Sequence, residues 1–335
     1  MLSLPLALLF SLVPLVFTSH NEDLRRSPHH HGQSPQSSVT YHLKDHYTGK
    51  AFMNESIWKY RVGNDPTNGL VNYVSHATAA KEGLAYVQNG VAVLKFENRG
   101  DLPLNKPRNS TRISSVKTYS SGLFIADFAR MPFGCAVWPA YWSVGPNWPN
   151  HGEIDVIEGV DTQSTNLISF HTGGSTACSI DTTKNFTGQV SQPPSGCKTT
   201  SSNQGCGFWD SQTSSYGSGF NAAGGGVFVH LWDNSKGISV WHFPRSSIPQ
   251  DILSGKPNPA LWPAPVAFLS SSKCNIPTHF SSHQLVIDTT LCGGFATAEY
   301  SHYGCPGTCP GFVAKGSNFN NVMWMINYIS VYQPV

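Results

Sequence analysis

Short apolar runs separated by turn-forming residues constrain the fold of this chain more than any other feature. Beyond about Tyr41, runs such as residues 91–96 and 122–128 alternate with Gly, Pro, Asn and Ser at intervals of roughly 8 to 12 residues. The chain holds 31 Gly and 23 Pro, and helix interiors tolerate neither residue well. No long segment of helical periodicity separates the runs, which argues against alternating strand–helix units. The pattern predicts one all-β domain, a sandwich or barrel, over residues 39–335.

The charge balance excludes one large class of partner. The chain has 21 Lys and Arg against 19 Asp and Glu, a net charge of +2. Nucleic-acid-binding proteins usually carry a marked basic excess, so we expect no nucleic-acid partner. Only 12% of residues are charged and 12% are aromatic, a composition that favours recognition through hydroxyls, amides and aromatic rings. The 39% of hydrophobic residues is enough for a packed core.

The N-terminal segment predicts secretion. Residues 2–17 are uncharged and apolar, contain two prolines, and lead directly into a polar stretch. This run is short for a membrane span and fits the apolar part of a secretory signal, although a basic start is missing. We therefore predict a signal peptide over residues 1–19, an extracellular mature protein, and no membrane association after cleavage. An uncleaved N-terminal anchor is the alternative.

A polar leader is predicted over residues 20–38. It is rich in Ser, Pro and Gln, and cannot bury apolar surface. Its Arg25–Arg26 pair is either a processing site or part of an ordinary linker. The three consecutive histidines that begin at His29 could bind metal adventitiously, and nothing nearby completes a site.

The cysteine count agrees with secretion. The chain has an even number of cysteines, at positions 135, 178, 197, 206, 274, 292, 305 and 309. Disulfides are the expected state in an oxidising compartment, and the connectivity stays open. A zinc site of His302, Cys305 and Cys309 is the alternative, which both the spacing and the compartment disfavour. We predict no metal and no cofactor.

Three sequons predict glycans on surface loops. They begin at Asn54, Asn109 and Asn185. One or two such tripeptides arise by chance in a chain rich in Ser and Thr, so they support secretion only secondarily.

The segment HGEIDVIEG, residues 151–159, concentrates carboxyl groups. Glu153, Asp155 and Glu158 lie within six positions and are spaced by apolar residues. In a regular strand Glu153 and Asp155 share a face while Glu158 points away. A single-residue β-bulge between Asp155 and Glu158 brings all three to one face. The two Glu carboxyls can then approach to about 5 Å, the separation of a retaining glycosidase.

That arrangement suggests a role for each carboxyl group. Glu153 would attack the anomeric carbon, Glu158 would act as acid and then base, and Asp155 would hold the local electrostatics. Repulsion between like charges predicts that one group stays protonated near neutral pH, and Glu158 is the candidate. An acidic strand facing solvent and a cation site, such as calcium, are the alternatives.

Aromatic residues precede the acidic strand. The run VWPAYWSVGPNWPN, residues 137–150, places three tryptophans within eleven residues. Sugar rings stack their C–H faces on indole, and the indole N–H can meet a hydroxyl. Trp142 and Trp148 are the better candidates for a cleft wall. Trp138 is also a substrate-binding candidate, but we expect it to be largely in the core.

These two segments resemble the catalytic region of glycoside hydrolase family 16, in particular fungal laminarinase-type endo-β-1,3(4)-glucanases. The likeness covers about residues 39–335 and includes RISS from Arg112, NLISFHT up to Thr172, FPRSSIPQDI from Phe243, and INYISVYQ near the end. The E-x-D-x-x-E form marks the laminarinase-like branch, whereas E-x-D-x-E marks lichenases and xyloglucan-modifying enzymes. The resemblance implies a β-jelly-roll sandwich of two curved antiparallel sheets with a concave substrate cleft.

The resemblance also implies site residues. It implies Glu153 as nucleophile, Asp155 as assisting acid and Glu158 as acid/base, in agreement with the geometric assignment. It also implies that Trp142, Trp148 and Arg112 contact glucosyl units on the non-reducing side of the cleaved bond. It implies that His171 lies beside the catalytic strand; a core histidine bonded to a neighbouring strand is the alternative. Where the family pattern has an Asp-Trp pair, this chain has Gly294 and Phe295, which puts one peripheral sugar contact in doubt.

The sequence therefore predicts a secreted retaining endo-β-glucanase that hydrolyses β-1,3 and mixed β-1,3/1,4 glucans through a covalent glycosyl-enzyme. Its expected partner is a β-glucan polysaccharide. A cell-wall glucan transglycosylase and a non-catalytic glucan-binding lectin are the alternatives. Linkage preference and oligomeric state stay open.

Overall fold

The computed structural model describes residues 39–174, 176, 178–191, 196–199 and 204–335. The predicted signal peptide (1–19) and polar leader (20–38), with the dibasic pair and the three histidines, lie outside the described residues. In the described ranges, no helix is both long enough and apolar enough to cross a bilayer.

Strands form most of the regular structure in the described residues. They are β1 Tyr41–Thr48, β2 Trp58–Tyr60, β3 Gly63–Asn64, β4 Val71–Tyr73, β5 Ala85–Gln88, β6 Val91–Lys95, β7 Arg108–Ser110, β8 Arg112–Ser115, β9 Gly122–Arg130, β10 Val137–Val144, β11 Glu153–Glu158, β12 Leu167–His171, β13 Gln189–Val190, β14 Cys206–Trp209, β15 Gly226–Asp233, β16 Gly237–Pro244, β17 Ala267–Ser270, β18 Gln284–Leu291 and β19 Met323–Pro334.

The helices are short. The α-helices are α1 His76–Glu82, α2 Gly217–Ala222, α3 Gln250–Leu253, α4 Ile276–His279, α5 Gly293–Glu299 and α6 Cys309–Val313. The 3₁₀ turns are Gly49–Met53, Thr213–Ser215, Arg245–Ser247, Pro259–Leu261 and Gly316–Phe319. Within the described ranges the longest α-helices, α1 and α5, have seven residues each, as the abundance of Gly and Pro predicts.

The strands assemble into two large sheets and one small one. Sheet A has the order β17-β16-β15-β9-β19-β6-β5, with β1 also paired to β19. Sheet B has the order β13-β14-β12-β11-β10-β18-β8-β2, and a small sheet has the order β3-β4-β7. The pairs within both large sheets are antiparallel. The predicted all-β sandwich of two antiparallel sheets is confirmed.

The main core lies between the two large sheets. Phe128 of sheet A packs against Tyr141 of sheet B at a ring separation of 5.3 Å, and against Trp324 at 5.1 Å. Burying each such side chain contributes about 1.5–3 kcal/mol. Ile154 and Ile157 of β11 are fully buried in the same core. This packing anchors one face of β11 and leaves its other face for a site.

Four disulfides join all eight cysteines. They are Cys135–Cys305, Cys178–Cys274, Cys197–Cys206 and Cys292–Cys309. The expectation of disulfides is confirmed. The zinc alternative with His302 is wrong, because Cys305 and Cys309 are each bonded to another cysteine and have no free thiolate for a metal.

The sequons differ in their surroundings. Asn54 and Asn185 are exposed, as expected. Asn109 instead lies half-buried in β7, where its Nδ2 donates to both carboxylate oxygens of Glu82 at 3.1 and 3.0 Å. The expectation that this sequon forms a surface loop is wrong, since the flanking Arg108 and Ser110 are buried.

The disulfides should differ in their effect on stability. Cys135–Cys305 joins residues 170 apart, whereas Cys197–Cys206 joins residues nine apart. Replacing both cysteines of the first pair by Ser should lower the free energy of unfolding by about 2 kcal/mol more than the same change in the second pair, because the longer loop restricts the unfolded chain more. Denaturant unfolding of the two variants measures this, and equal losses would contradict it.

Candidate active site

The site is built on a β-bulge in β11. Against β10, Trp142 pairs with Asp155 and Tyr141 pairs with Ile157, so Val156 is the extra residue. Against β12, the register is interrupted between Asp155 and Glu158. The predicted bulge is confirmed in its position.

The bulge separates apolar from acidic side chains. Ile154, Val156 and Ile157 belong to the core between the sheets. Glu153 and Glu158 are half-buried on the opposite side of the strand, at its two ends. Asp155 lies between them and is only 3% exposed.

His171 faces this acidic group from the neighbouring strand. It pairs in register with Glu153, and its Nε2 lies 3.3 Å from Oδ2 of Asp155. Its side chain is 14% exposed, so it is neither a surface residue nor fully enclosed in the core. One ligand atom from each of Glu153, Asp155 and His171 lies within 4.8 Å of the others. This trio is the part of the site that could hold a cation.

The structure corrects the expectation for Trp138. This residue is half-buried and does not belong to the core. Its Nε1 donates to Oε1 of Glu158 at 3.2 Å, and Phe295 packs edge-on against it at 5.6 Å. Strand alternation explains the placement, because residues 138 and 142 share the face of β10 that lies beside the carboxyls.

Trp142 and Arg112 form a second contact on this side of sheet B. The Arg112 guanidinium lies 4.8 Å from the centre of the Trp142 ring. The Arg112 Nη1 is 3.3 Å from Oδ2 of Asp288. Asp288 was not singled out from the sequence, although a carboxylate within the apolar run QLVIDTTL of β18 is a signal for it. Cation–π contact and ion pair together hold the indole in place.

Trp148 lies in the loop after β10 and is 42% exposed. Its indole lies close enough to Glu153 to lower the pKa of that carboxyl, against the larger upward effect of desolvation. An exposed ring beside a carboxyl group can offer its face to a ligand. Trp142, Trp148, Arg112 and His171 therefore lie around the acidic strand, as the sequence predicted, and Trp138 lies there with them.

Burial raises the pKa of all three carboxyls. Desolvation, with the charge of Asp155 second, raises the pKa of Glu153 to about 8. Desolvation raises the pKa of Glu158 to about 7, against the opposing effect of His171. Desolvation, followed by the charge of Glu158, raises the pKa of Asp155 well above its usual range. The raised pKa of Glu158 agrees with its choice as the group that stays protonated, and desolvation raises the pKa of the other two carboxyls as well.

Cleavage of a glycosidic bond requires two carboxyl groups close together, and the tryptophans beside them offer flat faces with an N–H donor at the edge. A family model described as an XgeA-like catalytic GH16 domain matches residues 58–332. The chain belongs to this family of glycoside hydrolase domains, and the resemblance drawn from the sequence is confirmed.

Curated relatives are fungal. A probable glycosidase of Schizosaccharomyces pombe is 39% identical over 88% of this chain and 70% of its own length. A probable endo-1,3(4)-beta-glucanase of Aspergillus fumigatus is 38% identical over 89% of this chain and 46% of its own length. The chain thus spans less than half of that longer relative.

Solved structures share the fold. GH16 laminarinase 16A from Phanerochaete chrysosporium, described with 6-O-glucosyl-laminaritriose in donor and acceptor sites, superposes with a TM-score of 0.82 at 39% identity. An elongating GH family 16 β-1,3-glucosyltransferase superposes with a TM-score of 0.81 at 38% identity. Each covers 88% of this chain and 100% of its own. The predicted jelly-roll architecture is confirmed.

The raised pKa of Glu153 predicts a pH-dependent effect of Glu153→Gln on stability. A carboxyl with a raised pKa binds its proton more tightly in the folded state, so its ionisation destabilises the fold as pH rises from about 4.5 towards 8. The variant carries no such charge. Its melting temperature should therefore exceed that of the parent by several degrees at pH 8.5, and by clearly less at pH 5.

Thermal unfolding across this pH range measures the difference. Glu55→Gln, at an exposed position, is the matched control and should show no pH-dependent difference from the parent. A constant difference for Glu153→Gln at every pH would show that burial does not raise the pKa of this carboxyl.

Proposed function

We propose that this protein is a secreted retaining endo-β-glucanase that hydrolyses β-1,3 and mixed β-1,3/1,4 glucans. One observation carries the proposal: the bulge in β11 places Glu153, Asp155 and Glu158 on one side of a strand, beside three tryptophans. The catalytic domain comprises residues 39–335, and the substrate is a β-glucan polysaccharide.

In the first step, a Glu153 carboxylate oxygen attacks the anomeric carbon while Glu158 gives its proton to the glycosidic oxygen. The C–O bond to the leaving sugar breaks, and a covalent glycosyl–Glu153 ester forms. Two features support the role of Glu158. Its pKa of about 7 keeps a proton available near neutral pH. The Trp138 N–H bonds to Oε1, so Oε2 is the oxygen left for the proton.

Asp155 lies between the two Glu carboxyls and would hold the local electrostatics. Desolvation and the charge of Glu158 raise its pKa, and its own charge is the second cause of the raised pKa of Glu153. Attack requires the ionised form of Glu153, and the coupled carboxyls reach that state as a group rather than one by one. His171 lies with its Nε2 3.3 Å from Oδ2 of Asp155, and its electrostatic effect lowers the pKa of Glu153 and of Glu158.

In the second step, Glu158 acts as the base. Its carboxylate takes a proton from water, and the water oxygen attacks the anomeric carbon and releases Glu153. Two inversions give net retention of the β-configuration. The sugar is neutral, so its binding depends on stacking against Trp142 and Trp148 and on hydrogen bonds from groups such as Arg112. The glucan ligand of the Phanerochaete enzyme supports a β-1,3 substrate.

Secretion and glycosylation form part of the proposal. The apolar segment within residues 1–19 is the proposed signal peptide. Four disulfides support an oxidising, extracellular location. Asn54 and Asn185, both exposed, are the proposed glycan sites with the fewest competing contacts, whereas the Asn109 amide is bonded to Glu82.

The direct test is hydrolysis of laminarin and of a mixed-linkage β-glucan by the purified protein. We expect new reducing ends, and β-anomers as the first products detected by proton NMR. Glu158→Gln should lower kcat by about 10²- to 10⁴-fold because the general acid is lost. Glu153→Gln should lower it at least as much, since no covalent intermediate can form.

Glu55→Gln, at an exposed site, should leave hydrolysis unchanged. Binding of laminarin without any release of reducing ends would instead support the lectin alternative. First products in the α-configuration would exclude the retaining mechanism.

Similarity to an elongating glucosyltransferase favours glucan transglycosylation as the second candidate. The two activities share the covalent intermediate and differ in whether water or a sugar hydroxyl resolves it. With laminaripentaose at low millimolar concentration, we expect shorter oligosaccharides to dominate from the first minutes. Mass spectrometry of the time course measures this, and a predominance of products longer than the pentasaccharide would establish the transferase instead.

A further inference from the structure

The bulge in β11 interrupts the backbone ladder at two positions. The carbonyl of Val156 and the N–H of Glu158 have no place in the regular pairing with β12, because the register shifts between Asp155 and Glu158. Both groups lie in a region from which water is largely excluded, with the Val156 side chain fully buried. Buried backbone groups require hydrogen-bond partners.

One side chain supplies both partners. The Nδ2 of Asn166 donates to the Val156 carbonyl at 2.8 Å, and the Glu158 N–H donates to Oδ1 of Asn166 at 3.1 Å. Asn166 is 0% exposed. A primary amide fits this task because it carries a donor and an acceptor side by side, which a carboxylate does not.

Asn166 is itself held in place. Its backbone N–H donates to Oγ of Ser215 at 2.9 Å, and its carbonyl accepts from the N–H of Asp210 at 2.9 Å. These contacts come from a different part of the chain. They fix the amide immediately before the start of β12, so the bulge is formed against a rigid partner.

Gln163 secures the other side of Glu158. Its Oε1 accepts from the Val160 N–H at 3.3 Å, and its Nε2 donates to the carbonyls of Thr165 at 2.7 Å and Glu158 at 3.4 Å. Both backbone groups of Glu158 are thus bonded to side-chain amides. A slip of one residue would turn Glu158 towards the core, and these two amides oppose it.

We propose that Asn166 is a positioning residue that holds the bulge and thereby directs the Glu158 carboxyl at the leaving-group oxygen. The inference rests on the proposed function, since it takes Glu158 as the acid. The side chain of Asn166 bonds to backbone groups of β11 and is fully buried, so it is not exposed to a sugar in the cleft. Its loss should impair proton donation more than nucleophilic attack by Glu153.

The test is Asn166→Asp, which keeps the shape and the acceptor but loses the donor to Val156. We compare laminarin with 2,4-dinitrophenyl β-laminaribioside, whose leaving group departs without a proton. We expect kcat/KM on laminarin to fall roughly 10- to 100-fold, a part of the 10²- to 10⁴-fold typical of general acid catalysis. The value of kcat/KM for release of dinitrophenolate, which reports the first step and not the base-assisted second step, should change less than about threefold, because a good leaving group needs little acid assistance.

Rates are expressed per active site, counted by the dinitrophenolate burst from the 2-deoxy-2-fluoro analogue, so that misfolded molecules do not contribute. Gln163→Glu is the second variant and should show the same selective loss, to a smaller extent. Asn105→Asp, at an exposed position, is the matched control and should alter neither substrate.

Equal losses on the two substrates per active site, or no loss on laminarin, would overturn the role of Asn166. The alkaline limb of the pH profile of kcat/KM on laminarin should also move in Asn166→Asp, and an unchanged limb would count against the proposal. If the unmodified protein cleaves neither substrate, the proposed function fails, and the role of Asn166 as an aid to catalysis fails with it.

Discussion

Burying three carboxyl groups on one short strand opposes folding, and much of the structure around β11 offsets this cost. Each group loses hydration, and each lies near another negative charge. The pKa values of Glu153, Asp155 and Glu158 are all raised as a result. Side chains of the two neighbouring strands make polar contacts with these carboxyls. Trp138 on β10 contacts Glu158, and His171 on β12 contacts Asp155. The same desolvation that destabilises the ionised group makes protons available for general acid catalysis near neutral pH.

The other face of β11 holds the strand in this unfavourable arrangement. Ile154, Val156 and Ile157 are fully buried between the sheets. Each buried aliphatic side chain contributes about 1.5–3 kcal/mol, enough to oppose the electrostatic strain on the outer face. Only a bulged strand keeps the apolar side chains in the core and Glu158 outside it, because a regular strand of this sequence would place Glu158 in the core. An unpartnered buried backbone group costs about 1–3 kcal/mol, so the amide of Asn166 stabilises the conformation that the site requires.

Local sequence patterns predicted a large part of the molecule. Runs such as 91–96 and 122–128 are strands because alternation and turn residues act over a few positions. The spacing in GEIDVIEG predicted the bulge, since only an extra residue brings three carboxyls to one face.

Trp138 shows the limit of judging a residue by its hydrophobicity alone. Its hydrophobicity suggested core, but its position in β10 puts it on the same face as Trp142, where it bonds to Glu158.

The sequence by itself determined the all-β class, the acidic strand and the tryptophan-containing run that precedes it, because these depend on patterns within a few residues. Only the tertiary structure decided which cysteines pair, that Asp288 meets Arg112, and that Asn166 completes the bulge. These contacts join residues far apart in the chain, and no local pattern specifies them. The protonation of the carboxyls also belongs to the tertiary structure, because a pKa responds to the water that the folded chain excludes and to the charges that it brings together.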